Sequence, residues 1–98
     1  MKIDKTLQLP CGVEIKNRFL KSAMTEGIAN SDALSNERHV KLYERWAKGG
    51  TGISITGNVQ IDHRYIERAG NVVIEGTQTN ESLAALANWS QAGKQNNT

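Results

Sequence analysis

Asn17-Arg18-Phe19-Leu20-Lys21-Ser22-Ala23-Met24-Thr25-Glu26 runs an apolar stretch straight into small and polar residues, and a helix-sized segment and a second apolar stretch follow it. That order reads as the opening of a parallel α/β protein, because parallel strands are joined by crossover connections that are usually helices. In such folds ligands gather at the carboxyl ends of the strands and in the loops after them. Ser22 to Glu26 is therefore the first place to look for chemistry.

Before this stretch, Leu7-Gln8-Leu9 and Val13-Glu14-Ile15 alternate apolar and polar around the turn signal Pro10-Cys11-Gly12, which predicts a small β-hairpin. After it, Phe19 to Met24 is expected as the first core strand, and Gly27 to Leu34 as a loop rich in Gly, Asn, Ser and Asp. Ser35 is the expected N-cap of a helix from Asn36 to Lys48. Glu37 lies near its positive end, and Lys48-Gly49-Gly50 closes it with a cation and glycines. Val40, Tyr43, Trp46 and Ala47 recur three and four residues apart, so one face of this helix must pack against the sheet. Thr51 to Gly57 is short, β-branched and bounded by turns, hence a second strand, and the three elements form a βαβ unit expected to be right-handed.

Asn58 to Thr79 reads as a long excursion at the ligand-facing end, with a short strand at Val72-Val73-Ile74. Thr79 or Asn80 then caps a second helix that carries Leu83, Leu86, Ala87 and Trp89 and ends at Gly93. The polar residues Lys94 to Thr98 are expected to fray.

Ninety-eight residues suit one domain, and 38% hydrophobic residues promise a thin core. Twelve Lys and Arg stand against ten Asp and Glu with no basic run, an arrangement that argues against nucleic acid as a partner. Cys11 is the one cysteine, so an internal disulfide is excluded and a reducing, cytoplasmic setting is expected. No stretch approaches the roughly 18 apolar residues of a membrane span, and the charged opening residues lead into no signal core, so no membrane association is expected.

Thr25 and Gly57 stand at matching ends of the two expected strands. Each reads either as a turn residue or as part of a ligand site, Thr25 through its hydroxyl and Gly57 by letting a flat ligand touch the backbone. Neighbouring strand ends converge, so the two are expected to lie close together. His39 and His63 have no partner at the spacing of a triad or a metal site and read as ordinary histidines. Glu26 reads as a solvated carboxylate and Tyr65 as part of a solvated loop. Gly49-Gly50-Thr51-Gly52 precedes a strand instead of opening a helix, so it is a tight turn and no phosphate cradle.

Five ordered blocks carry a resemblance. They are Leu9-Pro10-Cys11-Gly12 through Lys16-Asn17-Arg18, then Ala23-Met24-Thr25-Glu26, Leu42-Tyr43 with Trp46-Ala47, Gly49-Gly50-Thr51-Gly52, and Ile55-Thr56-Gly57-Asn58-Val59. Together the sequence resembles the amino-terminal portion of the old yellow enzyme family of flavin oxidoreductases. The resemblance implies a partial TIM (β/α)₈ barrel, with residues 1–98 supplying the hairpin and about two βα units. It further implies FMN at the carboxyl ends of the strands, NADH or NADPH as hydride donor, and a small activated alkene or related acceptor. Ala23, Met24 and Thr25 match the segment along the flavin ring, and Gly57 matches the small residue at the same ring edge. Many relatives have Pro where this chain has Ala23, and some carry an aromatic substrate residue near Gly27. The family's catalytic residues belong to later strands, so no catalytic residue and no metal ligand is assigned here.

A closed barrel takes about 250 residues. The leading expectation is therefore an amino-terminal fragment of an FMN-dependent reductase with an incomplete flavin site. The rival is a small non-enzymatic α/β module derived from that barrel, used for oligomerisation or partner binding. Assembly of several copies into a barrel-like whole is ranked below both. Open strand edges imply self-association or a complementary chain.

Overall fold

The structure is a computed structural model and describes residues 2–98. The expected hairpin forms from β1 (Leu7–Gln8) and β2 (Glu14–Ile15), which pair antiparallel with Leu7 opposite Ile15. Its turn closes through the Gly12 N–H on the Leu9 carbonyl at 2.9 Å, with Gly12 at a φ of +94° that glycine adopts without strain.

The crossover unit follows. Strand β3 (Leu20–Lys21) pairs parallel with β4 (Ile53–Ser54), Leu20 opposite Ile53, and α1 (Glu37–Lys48) connects them. Both strands are shorter than the sequence predicts. Their ladder extends from the Phe19 carbonyl, which accepts from Gly52 and Ile53, to the Ile55 N–H, which donates to Lys21. Beyond Lys21 the chain leaves the ladder, and the Met24 carbonyl comes to lie against Gly57, past the end of β4.

The cap of α1 is Asn36 and not Ser35. Asn36 accepts from the Arg38 N–H at 2.9 Å, while His39 Nδ1 accepts the Asn36 N–H at 3.2 Å, a reciprocal capping box built with histidine at the third position. Ser35 is instead buried, its hydroxyl without a partner among the described residues.

The excursion contains two strands where one was expected. Strand β5 (Val59–Gln60) pairs parallel with β6 (Val72–Val73), Val59 opposite Val72. Helix α2 (Asn80–Gly93) starts at Thr79, whose hydroxyl accepts from the Ser82 N–H at 3.1 Å. Its packed face is Ser82, Leu86, Trp89 and Ala92, whereas Leu83 and Ala87 are exposed. The last residues, expected to fray, are bonded back to the body of the chain. Asn96 Nδ2 donates to the Ala47 carbonyl at 3.3 Å and Thr98 Oγ1 donates to the Thr51 carbonyl at 3.0 Å.

The core lies between the two helices and the short sheets. Tyr43, Val72, Trp89 and Ala92 form it, with Val40, Trp46, Val59 and Leu86 packed around them. Tyr43 meets Trp46 and Trp89 edge-on at 5.1 Å and 5.4 Å between ring centroids, and His39 lies 4.9 Å from Trp89. The result is a small α/β structure whose aromatic centre joins α1 to α2.

Candidate functional site

The segment that leaves β3 passes the carboxyl end of β4. Ala23 and Met24 are exposed there, Thr25 is half-buried and Gly57 is buried. Gly57 must be glycine for an internal reason: a methyl group on it would overlap the Met24 carbonyl oxygen and the Glu26 carboxylate. The strand ends thus converge, with the residues on either side of Thr25 both against Gly57.

Helix α1 supplies the group that holds this junction. The Tyr43 hydroxyl donates to Glu26 Oε1 and accepts from the Gly57 N–H at 3.1 Å. Burial raises the Tyr43 phenol above its ordinary value, and the hydrogen bond to the Glu26 carboxylate adds to it. Lys21 projects from β3 onto the same helix, its ammonium 4.5 Å from the Trp46 ring centroid and 5.4 Å from that of Tyr43. Burial lowers the Lys21 ammonium, and the Glu26 charge opposes that.

The sequence reading took Glu26 as solvated, and the structure corrects this: it is half-buried and bonded to a core tyrosine. Tyr43 was legible as a packed residue of the helix face, but not as a hydroxyl aimed at the strand end. A signal existed, since an acid directly after the strand-end Thr25 lies within reach of the helix that covers that strand.

Ala23 and Met24 leave their backbone open to solvent, with the half-buried Thr25 next to them. Gly57 differs from the sequence expectation in one respect. Its N–H already has a partner in Tyr43, and its open side holds chain atoms.

The two histidines behave differently. His39 is buried, and burial lowers its imidazole below the ordinary value, with Glu26 opposing and Arg38 adding. His63 is exposed and its Nδ1 lies 2.6 Å from Glu75. Asp62 stands beside this pair, the three donor atoms within 4.8 Å of one another, but Arg64 binds the Asp62 carboxylate at 2.7 Å. Tyr65 is 73% exposed, as the solvated-loop reading expects.

An apolar groove of about 610 Å³ runs between β4 and α2, with Ile53, Val59, Ile74, Leu86 and Trp89 in its walls. Two buried polar atoms beside it, Ser54 Oγ and Trp89 Nε1, have no partner among the described residues. Among the described residues β4 pairs with β3 alone, and no helix is long and apolar enough to cross a membrane.

No family model matches the chain. Individual relatives do. An NADH-dependent flavin oxidoreductase of Hypocrea jecorina is 36% identical over 93 residues, which is 94% of this chain and 23% of that protein. A second, from a Neonectria species, is 33% identical over 95 residues, 96% of this chain and 12% of that protein. A cinnamate reductase of Clostridium sporogenes matches over 52 residues at 38% identity, 52% of this chain and 8% of that protein. By sequence the chain is similar to NADH-dependent flavin oxidoreductases, consistent with an old yellow enzyme-like family. It spans less than a quarter of the length of these relatives.

Proposed function

We propose that these 98 residues are the amino-terminal portion of a (β/α)₈ barrel of the old yellow enzyme type, contributing part of an FMN site to an NAD(P)H-dependent reductase. The observation that carries this reading is the coincidence of two things: similarity to flavin oxidoreductases along 94% of the chain, and convergence of the Met24 to Glu26 loop on Gly57 at the carboxyl end of β4. Ala23, Met24 and Thr25 run along one edge of the ring, and Gly57 sets the distance of that loop from the strand. When bound, FMN supplies the hydride chemistry, receiving from NADH or NADPH and delivering to a small activated alkene or related acceptor. The protein's own part is to hold the ring edge and to aim dipoles where reduction adds negative charge. The family resemblance assigns that role to the Thr25 hydroxyl. The setting is cytoplasmic, and catalytic residues are supplied by chain outside these 98 residues.

A second reading is favoured by the groove between β4 and α2. Its apolar walls and the unpartnered edge of β4 suit a non-enzymatic module that self-associates or receives a complementary chain.

One experiment separates the two. FMN is titrated into the purified chain while fluorescence, absorbance and sedimentation are followed. Saturable binding that weakens in Thr25→Ala supports the flavin site. Absence of binding at high micromolar FMN, together with a defined oligomer, replaces it with the module.

A further inference from the structure

We infer that the loop after β3 and the excursion after β4 are seamed into one rim at Gly27 and Gly70, and that Gly70 is thereby a positioning residue for Thr25. The role toward a flavin rests on the reading above; the seam itself does not.

Residues 27–34 have no anchor of their own in the core, since none of them is buried. Asn71, Val72 and Val73 are buried, so the returning leg of the excursion is held by the packed centre. The loop borrows that anchor at two points. The Ala29 N–H donates to the Gly70 carbonyl at 2.9 Å, and the Val73 N–H donates to the Ala33 carbonyl at 3.0 Å. Each segment gives one donor and one acceptor, so drawing them apart breaks both bonds.

Beside these bonds the two backbones pack directly on each other. A methyl group on Gly70 would overlap the Gly27 carbonyl group. Both glycines have positive φ, +68° at Gly27 and +89° at Gly70, where a side chain also strains the backbone. Gly27 is two residues past Thr25, and Glu26 between them is bonded to Tyr43. The chain leaving Thr25 is consequently held by α1 through Glu26 and by the excursion through Gly27. The loop is tied to α1 again where the Ile28 carbonyl accepts from Asn36 Nδ2 at 2.8 Å and from Arg38 Nη2 at 3.0 Å. The excursion is therefore part of the frame of the strand-end site and no separate lid. The side left open to a ligand is that of Ala23 and Met24, both exposed.

The test alters one segment and reads the other, by amide exchange in NMR on the 98-residue chain. Gly70→Ala is expected to quicken exchange at Ala29 about threefold to tenfold, the worth of one ordinary hydrogen bond, relative to the Ile55 amide in the β3–β4 ladder. It is also expected to move the Thr25 amide resonance. Gly76→Ala, in the same excursion but with open space where the methyl goes, changes neither. Asn30→Ala removes the acceptor of the Asp32 and Leu34 N–H groups inside the loop and is expected to quicken exchange at Val73. Changes confined to the altered segment, or a Thr25 resonance unmoved in Gly70→Ala, overturn the inference. If Gly70→Ala does not fold, the Val73 and Thr25 signals in Asn30→Ala decide alone.

FMN is then titrated into the same samples. Gly70→Ala weakens binding and shifts the visible absorption of the bound flavin, and Gly76→Ala leaves both at the parent values. Parent affinity and spectrum in a Gly70→Ala chain that has lost Ala29 protection overturn the positioning role. Failure of the unsubstituted chain to bind FMN removes the flavin reading itself, while the exchange ratios and the Thr25 resonance still decide the seam.

Discussion

Gly57 and His39 show how much one atom decides at the residue scale. Adding a methyl at Gly57 forces it into the Met24 carbonyl and into the Glu26 carboxylate that Tyr43 holds. Gly57→Ala is expected to destabilise the chain by about 1–3 kcal/mol, in the range of overpacked cores, seen as a lower urea midpoint. A midpoint equal to the parent's would mean the loop yields freely. His39 has the opposite dependence, on a proton. Its neutral Nδ1 accepts the Asn36 N–H, and burial holds the imidazole below its ordinary value. The unfolded chain therefore takes up the proton first as pH falls below about 6.5, so stability is level above that pH and declines below it until the folded value is passed. Urea unfolding between about pH 7.5 and 5.5 checks this, and His39→Gln flattens the slope. Sequence could mark Gly57 as a strand-end glycine, but not what fills its missing side chain, because Glu26 and Met24 reach it through a loop whose path no periodicity encodes.

Caps and faces set the behaviour of whole elements. The extent of α1 was legible from the Val40, Tyr43, Ala47 spacing, yet its cap was assigned one residue early, because Ser35 and Asn36 are both good caps and the deciding partner is His39. Asn36→Ala is expected to cost about 1 kcal/mol, whereas Ser35→Ala, which removes a buried hydroxyl with no partner, leaves stability unchanged or raises it. Thermal melts followed at the helical ellipticity separate the two, and equal losses would reinstate Ser35 as the cap. On α2 the sequence marked Leu83 and Leu86 alike. The structure separates them, since Leu86 packs on the aromatic core and Leu83 is 52% exposed. Leu86→Ala is expected to cost about 2 kcal/mol and Leu83→Ala no more than about 0.5 kcal/mol, read from the same melts. Strand β5 escaped the sequence reading, which marked only its partner at Val72-Val73-Ile74, because a two-residue strand is too short to show alternation.

At the scale of the molecule, the apolar surface is the dominant feature. Phe19, Leu20, Met24 and Ile55 are each between 44% and 53% exposed around the β3–β4 pair. Lys21 turns onto Trp46, so strand alternation turns its neighbour Leu20 away from α1. In sedimentation the chain is expected to gain apparent mass with concentration, and Leu20→Lys to suppress that gain. Mass independent of concentration in the unsubstituted chain would count against self-association. The βαβ arrangement was readable from the order of apolar stretches, while the tie of Thr98 to Thr51 was not, since a polar tail carries no pattern that names its acceptor. The contact between His39 and Trp89 has a consequence of another kind. With the imidazole 4.9 Å from the indole, the molecule contains its own optical gauge: a protonated imidazole quenches a nearby indole, so acid dims Trp89 emission while the helices remain packed, and separation of the helices relieves the quenching. With Trp46 replaced by Phe so that Trp89 alone emits, one spectrum recorded against pH thus reports, without any label, whether α1 and α2 are still touching.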